Sequence, residues 1–300
     1  MFPTPFRSTS DQPIRDITTT KALLGGLGLP VQYDIQPKLF NPTETGVCTA
    51  LPMKEQISEM QKMYDMIFND PSATKEHLDR LTRLQNIIGK GVAPPMETIK
   101  ESIISGSWGG TYSGGAAVAN SMTEAFIMQN GGGIKMAWGR LSSEDLYSDY
   151  LKSHILYRRV MCRTPKVAKR RHSNLLNAII DALSNTNEKG TRLFVGHDGD
   201  LDGMAAILGL AWESTPFAAN ATTPQSGLRF DLFDDPTDGN VKKIRITLYY
   251  TTFDTDDAKV MVVPANFSKN THKNTMVWDD FKTFAAGEMD MECVDKKIMM

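Results

Sequence analysis

Two chemically active side chains, His197 and Asp198, stand side by side in the segment 192–212, which reads RLFVGHDGDLDGMAAILGLAW. Residues 192–195 predict a short buried strand, and an apolar helix is predicted to begin near Met204. In open α/β sheets, ligands bind beyond the carboxyl ends of strands, where the N–H groups of the next helix favour an anion. An imidazole there can donate to a phosphate oxygen, and a carboxyl group can protonate a leaving-group oxygen. The pair therefore indicates phosphoryl chemistry.

Two other interpretations fit the same acidic turn. Asp198, Asp200, Asp202 and Gly203 match the opening of a calcium-binding EF-hand loop, but the twelfth position is Gly209 instead of the required glutamate. A strand also precedes this turn, whereas a helix precedes the loop of an EF hand. The remaining interpretation is a solvated turn whose aspartates cap a helix. The residues of the turn leave these alternatives open.

The elements that must position this turn are predicted to be mainly helices, with strands only late in the chain. Helical patterns cover 17–29, two stretches within 53–100, 116–129, and 143–183 with an interruption near Pro165. The segment 30–53 and the Gly/Ser-rich segment 103–115 predict loops. Strand patterns cover 192–195, 228–230, 241–253 and 260–263. This order predicts an α/β fold with a helical insertion.

Composition excludes several classes of protein. The 300 residues carry 33 basic and 35 acidic side chains, a net charge of −2, so a polycation that binds nucleic acid through phosphate attraction is not expected. No apolar run approaches the roughly 18 residues of a membrane span. The first residues lack the charged and apolar regions of a signal peptide.

The cysteines leave two possibilities open. Cys48, Cys162 and Cys293 are too few for a disulfide scaffold, and they lack the spacing of a zinc site. Three thiols fit one disulfide with one free cysteine, or three reduced cysteines in a cytosol.

Several segments resemble the histidine acid phosphatase family, in particular its bacterial periplasmic phytase and acid phosphatase branch. The proton-donor motif of that family, His-Asp between a strand and a helix, is matched by His197 and Asp198. Further similar segments follow in the family's order: LFNP at 39–42 with TGVC at 45–48, SMTEAF at 121–126 before WGR at 138–140, RTP at 163–165 with Arg171 beyond it, and 281–293. The resemblance covers nearly the whole chain from about Arg7 onward.

The resemblance implies a fold and an activity. The fold would be a phosphoglycerate-mutase-like (histidine phosphatase) α/β domain, residues 1–48 and 143–300, with an inserted mainly α-helical domain, residues 49–142. The activity would be hydrolysis of phosphomonoesters, such as phytate or sugar phosphates, at acid pH through a phosphohistidine, with no metal or other cofactor. The implied partner is a phosphorylated small molecule, with no nucleic acid and no membrane, in a periplasmic or secreted protein.

The resemblance also assigns roles to individual residues. His197 would clamp phosphate and Asp198 would donate a proton to the leaving alcohol. Arg15 is the best match to a third clamping arginine of the family, although Asp16 and Ile17 follow it instead of the usual threonine. Arg171 and Glu124 match positions that line the substrate pocket. Cys48 and Cys293 match cysteines that pair, which would leave Cys162 free. The wider basic run, which comprises Arg158, Arg159, Arg163, Lys166, Lys169, Arg170 and Arg171, is predicted to be a solvated helix face.

One motif of the family is absent from these residues. The family's nucleophilic histidine stands in Arg-His-Gly-x-Arg-x-Pro, and the 300 residues contain no Arg-His-Gly. We therefore expect that the sequence begins partway through the catalytic domain, without the first strand and its nucleophile loop. Two hypotheses follow. One is an acid phosphatase or phytase whose N-terminal segment is missing from the sequence, and the other is a catalytically inactive relative that binds phosphorylated ligands or has a structural role.

Overall fold

The computed structural model describes residues 6–89, 95–106, 109–185, 190–252, 259–268 and 273–295. In chain order the first elements are β1 (Phe6–Ser10), α1 (Ile14–Gly26), β2 (Asp34–Ile35), α2 (Pro37–Phe40), α3 (Met53–Phe68), α4 (Pro71–Ile88), β3 (Ser102–Gly106), β4 (Gly109–Ser113) and α5 (Gly115–Gly131). Then follow α6 (Ser143–Asp145), a π-helical turn (Leu146–Tyr150), α7 (Leu151–Met161), α8 (Pro165–Ser184), β5 (Thr191–Val195) and α9 (Asp198–Leu208). The last elements are β6 (Leu210–Ala211), β7 (Gly227–Asp235), β8 (Val241–Thr251), β9 (Val260–Pro264), β10 (Asn266–Phe267), β11 (Thr275–Val277) and α10 (Trp278–Glu288).

The sheet that carries the site is parallel and has the strand order β2-β1-β5. Ser8 lies opposite Leu193 and Ser10 lies opposite Val195, so β1 and β5 end side by side. The backbone continues this pairing beyond the strands, since the Asp11 N–H donates to the Val195 carbonyl at 3.0 Å. The residues that follow both strands therefore meet at one edge of the sheet.

The expectation that strands occur only late in the chain is wrong. β1 has the sequence FRSTS, in which Ser8, Thr9 and Ser10 are all buried, so it shows no apolar–polar alternation. The segment 103–115, predicted to be a loop, contains the antiparallel hairpin of β3 and β4. Its glycines permit close packing: a Cβ on Gly110 would lie 2.6 Å from the Met60 sulfur of α3. Tertiary contacts, which the sequence pattern does not reveal, determine both elements.

A second sheet is antiparallel and forms the C-terminal part of the core. β8 lies between β7 and β11, and β9 also pairs with β8. Ile244, Ile246, Leu248 and Tyr250 alternate along β8 and are all buried. The sequence pattern at 241–253 predicted this alternation. It arises because one face of the sheet packs on the core.

The helices pack into the same interior. The largest buried apolar cluster includes Leu84 of α4 and Phe126 of α5 together with Leu176 of α8 and Ile246 of β8. The division into residues 49–142 and the remainder therefore stays a prediction. Within the ranges that the structure describes, no helix has the length and apolar character that crossing a membrane requires.

Candidate functional site

The site is built where β1 and β5 end. Asp11 follows β1, and α1 then begins at Ile14, which brings Arg15 and Asp16 to the same edge. Gly196 and His197 follow β5, and α9 begins at Asp198. A Cβ on Gly196 would lie 2.8 Å from the Phe40 ring, so only glycine fits between β5 and α2 at this position.

The helix after His197 begins six residues earlier than the sequence pattern indicated. The His197 N–H donates to Asp200 Oδ2 at 2.7 Å, and the Asp200 N–H donates to the His197 carbonyl at 3.0 Å. These reciprocal bonds start the helix, because they satisfy N–H groups that otherwise lack partners. Asp198, Asp200 and Asp202 therefore lie on a helix, and Gly209, with φ of 62°, ends it. The calcium-loop interpretation is wrong.

Arg15 contacts His197 directly. Its Nη2 lies 2.7 Å from His197 Nδ1. A guanidinium only donates, so Nδ1 accepts, and the ring proton of a neutral His197 is on Nε2. That Nε2 faces Asp16 Oδ2 at 3.1 Å and Asp11 Oδ2 at 3.9 Å. The structure thus brings the two predicted clamp residues together, with two carboxylates on the other side of the imidazole.

Asp16 was not predicted to be a site residue. Helix α1 buries Asp16, Thr20 and Leu24, which recur at the four-residue spacing of one helix face. Arg15, one position earlier, is exposed. Burial raises the pKa of Asp16, although His197 and Arg15 act in the opposite direction. The pKa of Asp11 is also raised, mainly by burial, while hydrogen bonds from Gln12 and Asn41 oppose the shift.

The oxygens of Asp11 and Asp16 and a ring nitrogen of His197 lie within 4.8 Å of one another, a spacing that could hold a metal ion. The hydrogen bonds do not fit that use. Arg15 donates to Nδ1, which leaves a proton on Nε2, the nitrogen that faces both carboxylates. The guanidinium also adds a positive charge beside the cluster. We therefore interpret the three side chains as an electrostatically coupled group and not as a metal site.

Asp198 forms an ion pair with Arg158, whose Nη2 lies 3.0 Å from Asp198 Oδ1. Arg158 Nε also donates to Asp202 Oδ2 at 3.0 Å, and Arg163 Nε donates to Asp202 Oδ1 at 2.8 Å. Asp202 is only 1% exposed, so these two guanidinium groups compensate a charge that burial would otherwise make costly. The side chain of Asp198 is 37% exposed and remains accessible to a ligand.

Glu124 is connected to this network through a buried histidine. His154 Nδ1 lies 2.9 Å from Asn120 Oδ1 and 3.5 Å from Glu124 Oε1, and His154 Nε2 lies 3.8 Å from Asp198 Oδ2. Burial, and then the charge of Arg158, lower the pKa of His154. Glu124 itself is exposed. The predicted pocket role of Glu124 stays a prediction.

Most of the basic run is paired with acids. Arg158 and Arg163 contact Asp202, as described above, and Arg170 Nη1 lies 2.8 Å from Asp290 and 2.9 Å from Glu292. The prediction of a solvated helix face is therefore wrong for these three arginines. Arg171 is half-buried and acts electrostatically on the Cys162 thiol, lowering its pKa against the larger effect of burial. The substrate role of Arg171 stays a prediction.

Cys48 and Cys293 form a disulfide, with their Cα atoms 4.9 Å apart and a sequence separation of 245. Cys162 is the free cysteine of the three. The pairing implied by the family resemblance is confirmed. The bridge ties the loop after α2 to the turn after α10, where Arg170 also holds Asp290 and Glu292.

The sequence reasoning missed Asp16, Arg158, Arg163 and His154. A signal existed for three of them. Asp198 and Asp202 are four residues apart in an apolar segment, so they share one helix face and need cationic partners there. The buried face of α1 could also have been recognised from the spacing of Asp16, Thr20 and Leu24. No pattern in the chain pointed to His154.

Comparison with known proteins agrees with this architecture. No family model matches the chain. Phytase AppA of Escherichia coli strain K12 is 27% identical over 153 residues, a match covering 47% of this chain and 35% of that protein. The matched region thus spans about a third of the length of the curated relative.

Solved structures of bacterial phytases superpose over almost the whole chain. The Citrobacter braakii phytase has a TM-score of 0.80 at 20% identity, covering 97% of this chain and 81% of that one. The apo Hafnia alvei phytase has a TM-score of 0.81 at 19% identity, covering 98% and 81%. The Klebsiella sp. ASR1 phytase has a TM-score of 0.81 at 15% identity, covering 98% and 79%.

The chain has the α/β fold of the bacterial phytases. The fold that the order of the motifs implied is confirmed, and part of the sequence is similar to that of a phytase. The roles assigned to single residues remain predictions.

Proposed function

We propose that the chain binds phosphomonoesters where β1 and β5 end, as in a histidine-type acid phosphatase. His197 and Arg15 would contact the phosphoryl oxygens, and Asp198 would donate a proton to the leaving alcohol. The observation that carries the proposal is the 2.7 Å contact between Arg15 and His197, directly before Asp198 at the start of α9. Two donors at a helix N-terminus form a favourable environment for an anion.

The two oxygens of Asp198 have different surroundings, which supports its role as the proton donor. Oδ1 accepts a hydrogen bond from the Gly199 N–H at 2.9 Å and lies 3.0 Å from Arg158 Nη2. Oδ2 faces the buried His154 at 3.8 Å, beyond hydrogen-bonding distance. Oδ2 is therefore the oxygen that would hold the transferable proton.

The ligands of the structural relatives support a substrate class. The Hafnia alvei phytase has been solved in complex with myo-inositol hexakis sulphate and with tartrate, both of which are small polyanions. By analogy, the ligand of this chain would be a phosphorylated small molecule such as phytate or a sugar phosphate. The disulfide between Cys48 and Cys293 supports an oxidising location such as the periplasm.

A second candidate function is ligand binding without turnover. It is favoured by the positions of the described histidines, which are either buried or held by neighbouring charges. Among the described residues, His77, His154 and His172 are buried, with exposures of 3%, 4% and 7%. The fourth, His197, has its ring nitrogens directed at Arg15 and Asp16. Covalent phosphoryl transfer needs a nucleophile in line with the bond that breaks, and none of these four is placed to act as one.

The experiment measures turnover and binding with the purified 300-residue chain. Hydrolysis of p-nitrophenyl phosphate and of phytate at about pH 4–6 is expected to fall far below the usual range of about 1–10³ per second. Turnover within that range, lost in Asp198→Asn, would overturn the non-catalytic candidate and support hydrolysis by the chain.

Binding of myo-inositol hexakis sulphate is measured by calorimetry at about pH 4.5. Arg15→Ala is expected to weaken it about tenfold, the equivalent of one charge-assisted hydrogen bond. The matched control is Lys21→Ala, which removes an exposed cation from the same helix and should leave the affinity unchanged. Absence of binding by the wild-type chain would overturn both candidate functions.

A further inference from the structure

We propose that Asp16 makes anion binding at His197 depend on a proton: a phosphate or sulfate ester binds when Asp16 is neutral and is repelled when Asp16 is charged. The protonation state of Asp16 then determines whether the site binds an anionic ligand. The inference rests on the proposed function, because it concerns the same site.

The geometry puts Asp16 in direct competition with an anionic ligand. Its Oδ2 lies 3.1 Å from His197 Nε2, the ring nitrogen that carries a proton when Arg15 donates to Nδ1. Asp16 is 4% exposed, so solvent screens its charge weakly. An ester oxygen that reaches His197 therefore comes close to the Asp16 carboxyl group.

The groups around Asp16 do not cancel its charge completely. Arg15 and His197 face it and favour its charged form, whereas Asp11 and Asp200 face it and disfavour that form. Asp200 Oδ1 in turn lies 3.2 Å from His172 Nδ1. Two carboxylates, Asp11 and Asp16, thus share the single imidazole of His197, and the Arg15 guanidinium acts on Asp16.

One atom in the group has no suitable hydrogen-bond donor. Asp16 Oδ2 is buried, and no donor in the described structure approaches it with hydrogen-bond geometry. A charged carboxylate oxygen without a hydrogen bond is costly in a buried position, and protonation removes that cost. The protonated carboxyl group can also donate its hydrogen to an ester oxygen, so the same event removes a repulsion and adds a donor.

The direction of the pKa of Asp16 supports this interpretation. Burial raises it above the ordinary value of 3.8, so Asp16 takes up its proton at a less acidic pH than an exposed aspartate does. Anion binding should therefore strengthen as the pH falls through the raised pKa of Asp16.

The test uses a ligand whose own charge is constant. Sulfate esters do not titrate between about pH 4 and 8, so any pH dependence in the binding of myo-inositol hexakis sulphate comes from the protein. Calorimetry on the 300-residue chain compares wild type, Asp16→Asn and Asp16→Ser at about pH 4.5 and about pH 7.5. The matched control is Asp279→Asn, an exposed carboxylate at the start of α10 that pairs with Lys282.

At about pH 7.5, Asp16→Asn and Asp16→Ser are each expected to bind about tenfold or more tightly than wild type, because a like charge a few ångströms from the ligand has been removed. At about pH 4.5 the ratio of variant to wild-type affinity should be smaller than at about pH 7.5, because Asp16 takes up its proton as the pH falls. Asp279→Asn should follow the wild type at both pH values. A variant that fails to fold is recognised by its thermal unfolding curve, and the other variant then decides the result.

Three outcomes would overturn the inference. One is the same ratio of variant to wild-type affinity at both pH values, and another is weaker binding by both neutral variants at about pH 7.5. The last is wild-type binding of Zn²⁺ or Mn²⁺ at neutral pH that both variants lose, because Asp11, Asp16 and His197 would then hold a cation. A wild-type chain that binds the ester at neither pH would overturn the proposed function itself.

Discussion

Arg158 on α7 and Asp198 on α9 form an ion pair, with Nη2 and Oδ1 3.0 Å apart. The same guanidinium donates through Nε to Asp202, which is only 1% exposed. One side chain thus links the candidate proton donor to a buried carboxylate one helical turn further along. Through this side chain, the position of the candidate proton donor and the stability of the fold are coupled.

We predict that Arg158→Met destabilises the protein by about 3 kcal/mol, because it leaves Asp202 with one guanidinium partner instead of two. Arg158→Lys keeps the charge but cannot contact both carboxylates through a planar fork, so it should have an intermediate effect. Urea unfolding followed by circular dichroism measures both. Lysine and methionine variants of equal stability would contradict the role of the charge.

The disulfide between Cys48 and Cys293 should contribute substantially to stability. It closes a loop of 245 residues, and the chain-entropy model gives about 5 kcal/mol for a loop of that size. The double variant Cys48→Ser, Cys293→Ser is therefore expected to unfold at much lower urea concentration. Cys162→Ser is the matched control, and it should change the free energy of unfolding by less than about 1 kcal/mol. Equal midpoints for the double variant and the control would refute this prediction.

Asp149 should stabilise the fold at neutral pH and not in acid. Burial opposes its charge, but hydrogen bonds from Arg83 and Arg80 outweigh burial and hold the pKa of Asp149 below 3.8. A lowered pKa in the folded state gives stability that is present above the ordinary value and is lost as the pH falls through the folded value. We expect Asp149→Asn to cost about 2 kcal/mol at pH 7 and progressively less below the ordinary pKa. Urea unfolding at a series of pH values tests this, and a difference that does not depend on pH would contradict it.

Cys162 should react slowly with thiol reagents in the folded protein. Burial raises the pKa of its thiol to about 11, against the opposing effects of Arg158 and Arg171. The thiolate is the reactive form, so labelling at about pH 8 should be about 100-fold slower than for an ordinary cysteine of pKa about 8.5. The measurement compares the rate at which the Cys162 thiol consumes one equivalent of reagent in the native protein and after unfolding in urea. Rapid labelling of the native chain would show that the thiol is not shielded.

The segment around His197 and Asp198 could be interpreted from the sequence because its structure is local. An apolar strand, a glycine and an acidic helix start are consecutive in the chain, and their order implies an anion site at the end of a strand. The amphipathic helices were also predictable, since their apolar residues recur at helical spacing and bury one face, as Leu81, Leu84 and Ile88 do. The pairing of Cys48 with Cys293 came from family resemblance, because the number of cysteines alone left two possibilities.

The charges around the site could not be predicted in the same way. Arg15 and Asp16 are neighbours in sequence, but a helix turns about 100° per residue, so one is exposed and the other is buried against His197. That both side chains nevertheless reach the His197 ring depends on how α1 packs on the sheet. The partner of Asp198 lies 40 positions earlier on another helix, and only the packing of α7 against α9 brings Arg158 to it.

The sequence by itself therefore determined the strand, turn and helix order around β5 and α9, because these signals act over a few residues, and it predicted phosphoryl chemistry there. Tertiary structure alone decided the strand character of β1 and of the hairpin from β3 to β4, whose polar and glycine-rich sequences carry no alternation. It also decided that two carboxylates share the imidazole of His197. Electrostatic balance at a site depends on distances between residues far apart in the chain, and only the folded structure sets those distances.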